Sequence, residues 1–138
     1  MLSKKTQYAF HALTYLAENL ENGPVLISQI SKERHISLKF LENILLELKK
    51  AGLLGSKKGK GGGYYLIKPP EEVKLAKVIR MLDGPIALLP CVSLNYYEKC
   101  ENCQEDICGL NTVMAEVRDN TLKVLEKKTL ADVLRRSI

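Results

Sequence analysis

All four cysteines of the chain fall within one stretch, CVSLNYYEKCENCQEDICGLN. Cys91, Cys100, Cys103 and Cys108 follow the pattern C-x8-C-x2-C-x4-C. Thiolates gathered by one loop are ligands for soft metals and for iron–sulfur clusters. Four of them also suit tetrahedral zinc, although these spacings are irregular beside paired zinc knuckles. A third chemistry needs no metal: thiols that switch by oxidation. Cys100-Glu101-Asn102-Cys103 is a C-x-x-C, but it lacks the βαβ context of a redox enzyme. No catalytic His/Asp set accompanies it, so a small thiol oxidoreductase stands only as the rival reading.

The rest of the chain must position that loop. At 138 residues with 46% hydrophobic content, it is long enough for one folded domain plus an extension, and is not a disordered tail. No run approaches the ~18 apolar residues of a membrane span, and nothing resembles a signal peptide. The expected compartment is a bacterial or archaeal cytoplasm, where clustered cysteines serve as ligands or redox sensors more often than as disulfides. The net charge of +5 is unevenly placed. Residues 1–70 carry 11 Lys/Arg against 5 Asp/Glu, whereas residues 71–138 carry 10 against 11. A basic first half beside a neutral second half suggests a polyanion-binding module joined to something else.

Apolar periodicity predicts a helix over 4–21, with Tyr8, Ala9, Ala12, Leu13, Leu16, Ala17 and Leu20 on one face. Asn22-Gly23-Pro24 stops it. Ser28 is placed to cap a short helix, QISKER. A turn at His35–Ser37 follows, and Ser37 can cap a longer helix over 38–51 with Leu38, Leu41, Leu45 and Leu48 buried. Short helix, tight turn and longer helix form the order of a helix-turn-helix.

Two short strands, LLGSKK and GYYLIK, flank GKGGG and predict a β-hairpin wing whose tip carries Lys57, Lys58 and Lys60. The glycine loop lacks the G-x-x-x-x-G-K-[ST] spacing and is followed by a strand, which argues against nucleotide binding. A helix is expected over 71–83, with Glu71 and Glu72 at its start and Leu75, Val78, Ile79 and Leu82 on one face. A last long helix, 109–127, carries Leu110, Val113, Met114, Val117, Thr121 and Val124 at three- and four-residue steps. One helix cannot bury that stripe alone, and pairing with the same helix of a second chain would match a palindromic site. A short helix at 130–136 is expected to pack against it. The fold class is therefore mainly α with a small β wing: a winged helix-turn-helix over 1–84, a cysteine loop over 85–108, and a dimerisation segment over 109–138.

YAFHALTYLA, ISKERHISLKFLENILLELKKAGLL, KKGKGGGYYL and LAKVIRMLDGP, in that order, resemble the bacterial winged-helix repressor family of IscR, NsrR and CymR. The similarity runs over nearly the whole chain and is most specific from Ile30 to Leu66. It implies a homodimer that binds double-stranded DNA at a palindromic operator and regulates transcription, often in response to iron–sulfur status, nitric oxide or sulfur supply. A Glu that reads bases in the motif ISLSYLEQ matches Glu42, and a neighbouring Ser is Lys39 here. An Arg often preceding the wing glycines is Lys58, which lacks the planar fork for guanine and points to phosphate contact. The expected DNA contacts are Lys4, Lys5, Tyr8, Ser28, Ser37, Lys39, Phe40, Glu42, Lys57, Lys58, Lys60, Gly61 and Gly62.

In the iron–sulfur branches of that family three cysteines hold a cluster. Cys91, Cys108 and one of Cys100 or Cys103 match them. The fourth ligand of one branch falls at Asn111 and that of another at Gln7, both poor ligands. His11, one turn beyond Gln7, is a possible extra ligand. Alternatively, Cys91, Cys100, Cys103 and Cys108 supply all ligands within one subunit. The resemblance thus implies a 2Fe–2S or 4Fe–4S cluster, with structural zinc or a cluster-free thiol switch as alternatives.

Overall fold

The computed structural model describes residues 2–99, 104 and 108–134. It forms two compact units, one of residues 1–73 with 129–138 and one of residues 74–128. In the first unit, α1 (Lys4–Glu18) is capped by Ser3, whose hydroxyl accepts from the Thr6 N–H at 3.1 Å. It buries Ala9, Ala12, Leu13, Leu16 and Ala17. The helix stops three residues before the predicted end. Asn19 is its C-cap, and Leu20 lies exposed in a single 3₁₀ turn, Leu20–Asn22.

Helix α2 (Ile27–Arg34) begins one residue before Ser28, so Ser28 is not its cap. The N-cap is Leu26, with no side-chain bond, and Ser28 is exposed in the first turn. The helix ends at His35 in the left-handed conformation (φ 55°), which reverses the chain within three residues. Ser37 then caps α3 (Leu38–Lys50) as expected, its Oγ accepting from the Phe40 N–H at 3.3 Å. Helix α3 buries Leu41, Ile44, Leu45 and Leu48 and packs on both α1 and α2. Leu38, predicted buried, is exposed; the core place at this turn is filled by Ile36.

Strands β1 (Leu54–Lys57) and β2 (Gly63–Leu66) pair antiparallel with Leu54 opposite Leu66 and Lys57 opposite Gly63. A further extended bridge joins Val25 to Tyr64 through two hydrogen bonds of 2.8 Å. That bridge ties the hairpin to the segment leading into α2. Beyond it, Pro70–Glu72 forms a separate 3₁₀ turn, not the start of the next helix. Val73 is extended and buried, and its carbonyl accepts from the Leu130 N–H at 2.8 Å. This pairing holds the backbone out of the helical region, so Glu71 and Glu72 cannot serve the next helix's dipole. The C-terminal segment forms a 3₁₀ turn, Leu130–Val133, with Leu130 fully buried. It packs on α1 and the 70–72 turn.

In the second unit, α4 (Leu75–Asp83) buries Leu75, Ala76, Val78, Ile79 and Leu82. A short turn, Pro90–Val92, leads toward the cysteine segment. Helix α5 (Gly109–Leu125) packs on that turn and on α4, with Arg80 paired to Glu126 at 2.7 Å. None of its residues is fully buried. Leu110, Val113, Val117 and Val124 stand exposed along it. Among the described residues no helix is long and apolar enough to cross a membrane.

Candidate nucleic-acid interface and thiol site

The first turn of α3 faces solvent. Ser37, Leu38, Lys39 and Glu42 are exposed and Phe40 is half-buried. The opposite face is locked by Leu41, Ile44, Leu45 and Leu48, so the helix cannot rotate without emptying the core. Tyr8 of α1 sets Phe40 edge-on, with ring centroids 5.6 Å apart at 82°. Such edge-to-face pairs favour one ring orientation. Lys5 reaches Glu47 of α3 at 3.3 Å across a partly exposed surface. Its ammonium is shared with the protein, although an ammonium has three donors. Lys4 is exposed. Arg34 lies over the Tyr15 ring and pairs with Glu18 at 2.9 Å, which staples α2 to α1.

Lys57, Lys58 and Lys60 are all exposed at the hairpin tip. The turn closes through the Gly62 N–H donating to the Gly59 carbonyl at 3.0 Å. Gly61 is exposed at φ +76°, and Gly62 is buried. A Cβ on Gly62 would press into the Lys57 carbonyl, so the tight tip is open only to glycine. Lys49 of α3 donates to the Ser56 hydroxyl on β1 at 2.6 Å. Helix and hairpin are therefore held as one surface by this bond and by the Val25–Tyr64 bridge. Neither tie was visible as a motif. Both join residues with no periodic or compositional mark.

The thiols are partly described. Cys91 is buried in the Pro90–Val92 turn, and Cys108 is the half-buried N-cap of α5. The two are brought to one residue. Cys108 Sγ accepts from the Asn111 main-chain N–H at 3.4 Å. Cys91 Sγ accepts from the Asn111 side-chain amide, also at 3.4 Å. Arg118 donates to the Val92 carbonyl at 2.8 Å and fastens the turn to α5. Cys100 and Cys103 lie outside the described residues. Among the described residues no group of three or more His, Cys, Asp and Glu side chains could hold a metal. His11 is exposed on α1 with its ring 6.4 Å from that of Tyr8. Gln7 donates to the Leu2 carbonyl at 2.9 Å. Convergence of two sulfurs on one polar residue fits a thiolate-bound metal or cluster, whose sulfurs take hydrogen bonds from their surroundings. In the sequence Asn111 stands out only as a poor ligand. Its position three residues after a capping side chain was the available signal, because the third N–H of a helix is the one a cap meets.

Known proteins are similar to this chain in sequence and in fold. An rrf2-like HTH-type transcriptional regulator of Rhodobacter capsulatus is 38% identical over 138 residues, covering 97% of this chain and 92% of the relative. The HTH-type transcriptional regulator IscR of Serratia proteamaculans is 32% identical over 134 residues, covering 96% of this chain and 78% of its own length. The solved structure of CymR, the global cysteine regulator of B. subtilis, superposes with a TM-score of 0.80 at 28% identity, covering 96% of this chain and 95% of that one. These relatives are named for transcriptional regulation, a non-enzymatic role. The Rrf2 family model, described as an iron-dependent transcriptional regulator, matches residues 2–136. The chain belongs to the Rrf2 family of winged-helix transcriptional regulators.

Proposed function

We propose that this regulator is a homodimeric repressor that binds a palindromic operator and whose DNA affinity responds to the state of the Cys91–Cys108 site. The observation that carries the sensing part is the meeting of Cys91 and Cys108 at Asn111. It is supported by relatives named IscR and by a family described as iron-dependent. The exposed first turn of α3 and the lysine-tipped hairpin support the DNA-binding part. Glu42 and Lys39 would face base edges, and Lys57, Lys58 and Lys60 would lie along phosphates. The exposed apolar residues of α5 support pairing with a second copy, which would set the spacing of two recognition helices.

Cys91, Cys100, Cys103 and Cys108 would hold the iron–sulfur cluster, 2Fe–2S or 4Fe–4S. When bound it would supply a redox- and ligand-responsive centre. This chain's own part is to present the sulfurs at the start of α5, so that gaining or losing the centre biases the helix that pairs the two subunits. The test is anaerobic purification, with the visible spectrum and iron, sulfide and zinc measured on one sample. A brown protein with iron and sulfide supports the proposal. One zinc per chain without iron would make the site structural, and a metal-free protein would leave thiol oxidation as the signal.

The hairpin makes a separate prediction. Each wing lysine that neutralises a phosphate releases a counterion, at about 0.9 in the slope of log affinity against log salt. Lys58→Ala removes one such contact per subunit. It is expected to lower the slope by about 2 per dimer and to weaken all duplexes alike. Fluorescence anisotropy over a salt series reads both. A loss confined to one sequence would instead place Lys58 on a base.

A further inference from the structure

Asn111 occupies an unusual position between the two described thiols. Its main-chain N–H is held by Cys108 Sγ, which caps α5. Its side-chain amide reaches across to Cys91 Sγ, twenty residues back in the chain. Cys91 is buried and its turn is fastened to α5 by the Arg118–Val92 bond. Asn111 thus meets one sulfur through its main chain and the other through its side chain.

For a thiolate at Cys91, the chemistry of the pair sets which way the amide faces. A thiolate, free or metal-bound, is an acceptor only, whereas a carboxamide offers NH₂ as donor and oxygen as acceptor. With the NH₂ turned to Cys91 the contact at 3.4 Å is attractive. With the oxygen turned there, two electron-rich atoms would meet. An Asn that donates to one sulfur from its side chain and to another from its main chain is committed as a donor.

We propose that Asn111 is a positioning residue of the thiol site: it holds the Cys91 and Cys108 sulfurs side by side through two N–H···S bonds, and acts on a bound metal through those sulfurs without ligating it. This deepens the metal-binding reading of the cysteine loop and rests on it. Groups that hydrogen-bond metal ligands from behind alter affinity about 10- to 100-fold when removed. N–H···S bonds also lower the energy of sulfur lone pairs, which shows directly in sulfur-to-metal charge-transfer bands.

The experiment uses the full chain, reduced, metal-free and without oxygen, titrated with cobalt(II) alone. Affinity and the sulfur-to-cobalt band are read together for the wild type, Asn111→Leu and Asn111→Asp, with exposed Asn120→Leu on the same helix as control. Leu and Asp are close in size to Asn, and circular dichroism reports the helix in each. The proposal expects thiolate–cobalt bands in the wild type. It expects about 10- to 100-fold weaker binding in both Asn111 variants, a band moved to longer wavelength in Asn111→Leu, and no change in Asn120→Leu. Unchanged affinity and band position in Asn111→Leu would overturn the proposal while leaving the metal site standing. Equal or tighter binding by Asn111→Asp would make this position a ligand, which also overturns it. A wild type with no thiolate–cobalt band would defeat the metal-binding reading itself, and this inference with it.

Discussion

Gly63→Ala is expected to destabilise the DNA-binding unit by about 3 kcal/mol and to weaken DNA binding at least tenfold. Gly63 opens β2 at φ +141°, a conformation that L side chains rarely adopt. A Cβ there would run into the Val25 carbonyl. That carbonyl is one half of the bridge in which Val25 and Tyr64 exchange hydrogen bonds of 2.8 Å. Backbone strain of this kind costs about 1–3 kcal/mol, and each lost hydrogen bond about 1 kcal/mol more. The same displacement frees the hairpin from the segment leading into α2, so the lysine tip no longer sits at a fixed place beside α3. Urea denaturation measures the first effect and anisotropy with a duplex of fixed sequence the second. A variant within about 0.5 kcal/mol of the wild type, the range of ordinary surface changes, would mean that the bridge does not anchor the wing.

Cys108→Ala is expected to leave the fold intact and to remove the response. Cys108 is only half-buried, and its contribution to the fold is a cap bond to the Asn111 N–H. Losing a cap costs about 1 kcal/mol. In the proposed four-cysteine site, loss of that thiolate would remove a ligand outright and leave Asn111 with one sulfur to hold. Iron bound per chain should fall to background after anaerobic purification, while circular dichroism stays unchanged. DNA affinity should then be the same before and after treatment with an iron chelator. Retention of full iron by the variant would take Cys108 out of the ligand set.

What could be read from the chain before folding follows physical scale. Helix α3 was legible because Leu38, Leu41, Leu45 and Leu48 recur at helical spacing, and all but Leu38 are buried, with Ile44 beside them. The hairpin was legible because glycines at positive φ leave a compositional mark between two apolar runs. Boundaries set by tertiary pairing were not. The helix expected from residue 71 starts at Leu75, because Val73 is drawn into an extended pairing with Leu130, more than fifty residues away. Leu38 fits the period of α3 yet lies exposed in its first turn, where Ile36 takes the core place. Ser28 looked like a cap by type, but the helix begins before it.

The thiol site shows the same division. The cysteines were visible as ligand types, and the meeting of Cys91 with Cys108 was open to expectation. Which residue holds them was not, because Asn111 acts through one main-chain and one side-chain N–H. The main-chain N–H is marked only by its place three residues after a capping side chain, and the side-chain bond to Cys91 carries no mark. Nor could the α3–β1 bond from Lys49 to Ser56 be foreseen, since neither residue type marks a partner.

In the function proposed for this regulator, the state of the cysteine site sets DNA affinity. The most direct measurement is anisotropy of one duplex, selected from a random pool by the protein itself, titrated without oxygen. One anaerobic preparation is divided and half is stripped of metal, with iron measured in both halves. The two halves are expected to differ in affinity by at least tenfold, about 1.4 kcal/mol, and Cys108→Ala to show no such difference. Equal affinities for the metal-bound and metal-free halves would contradict it.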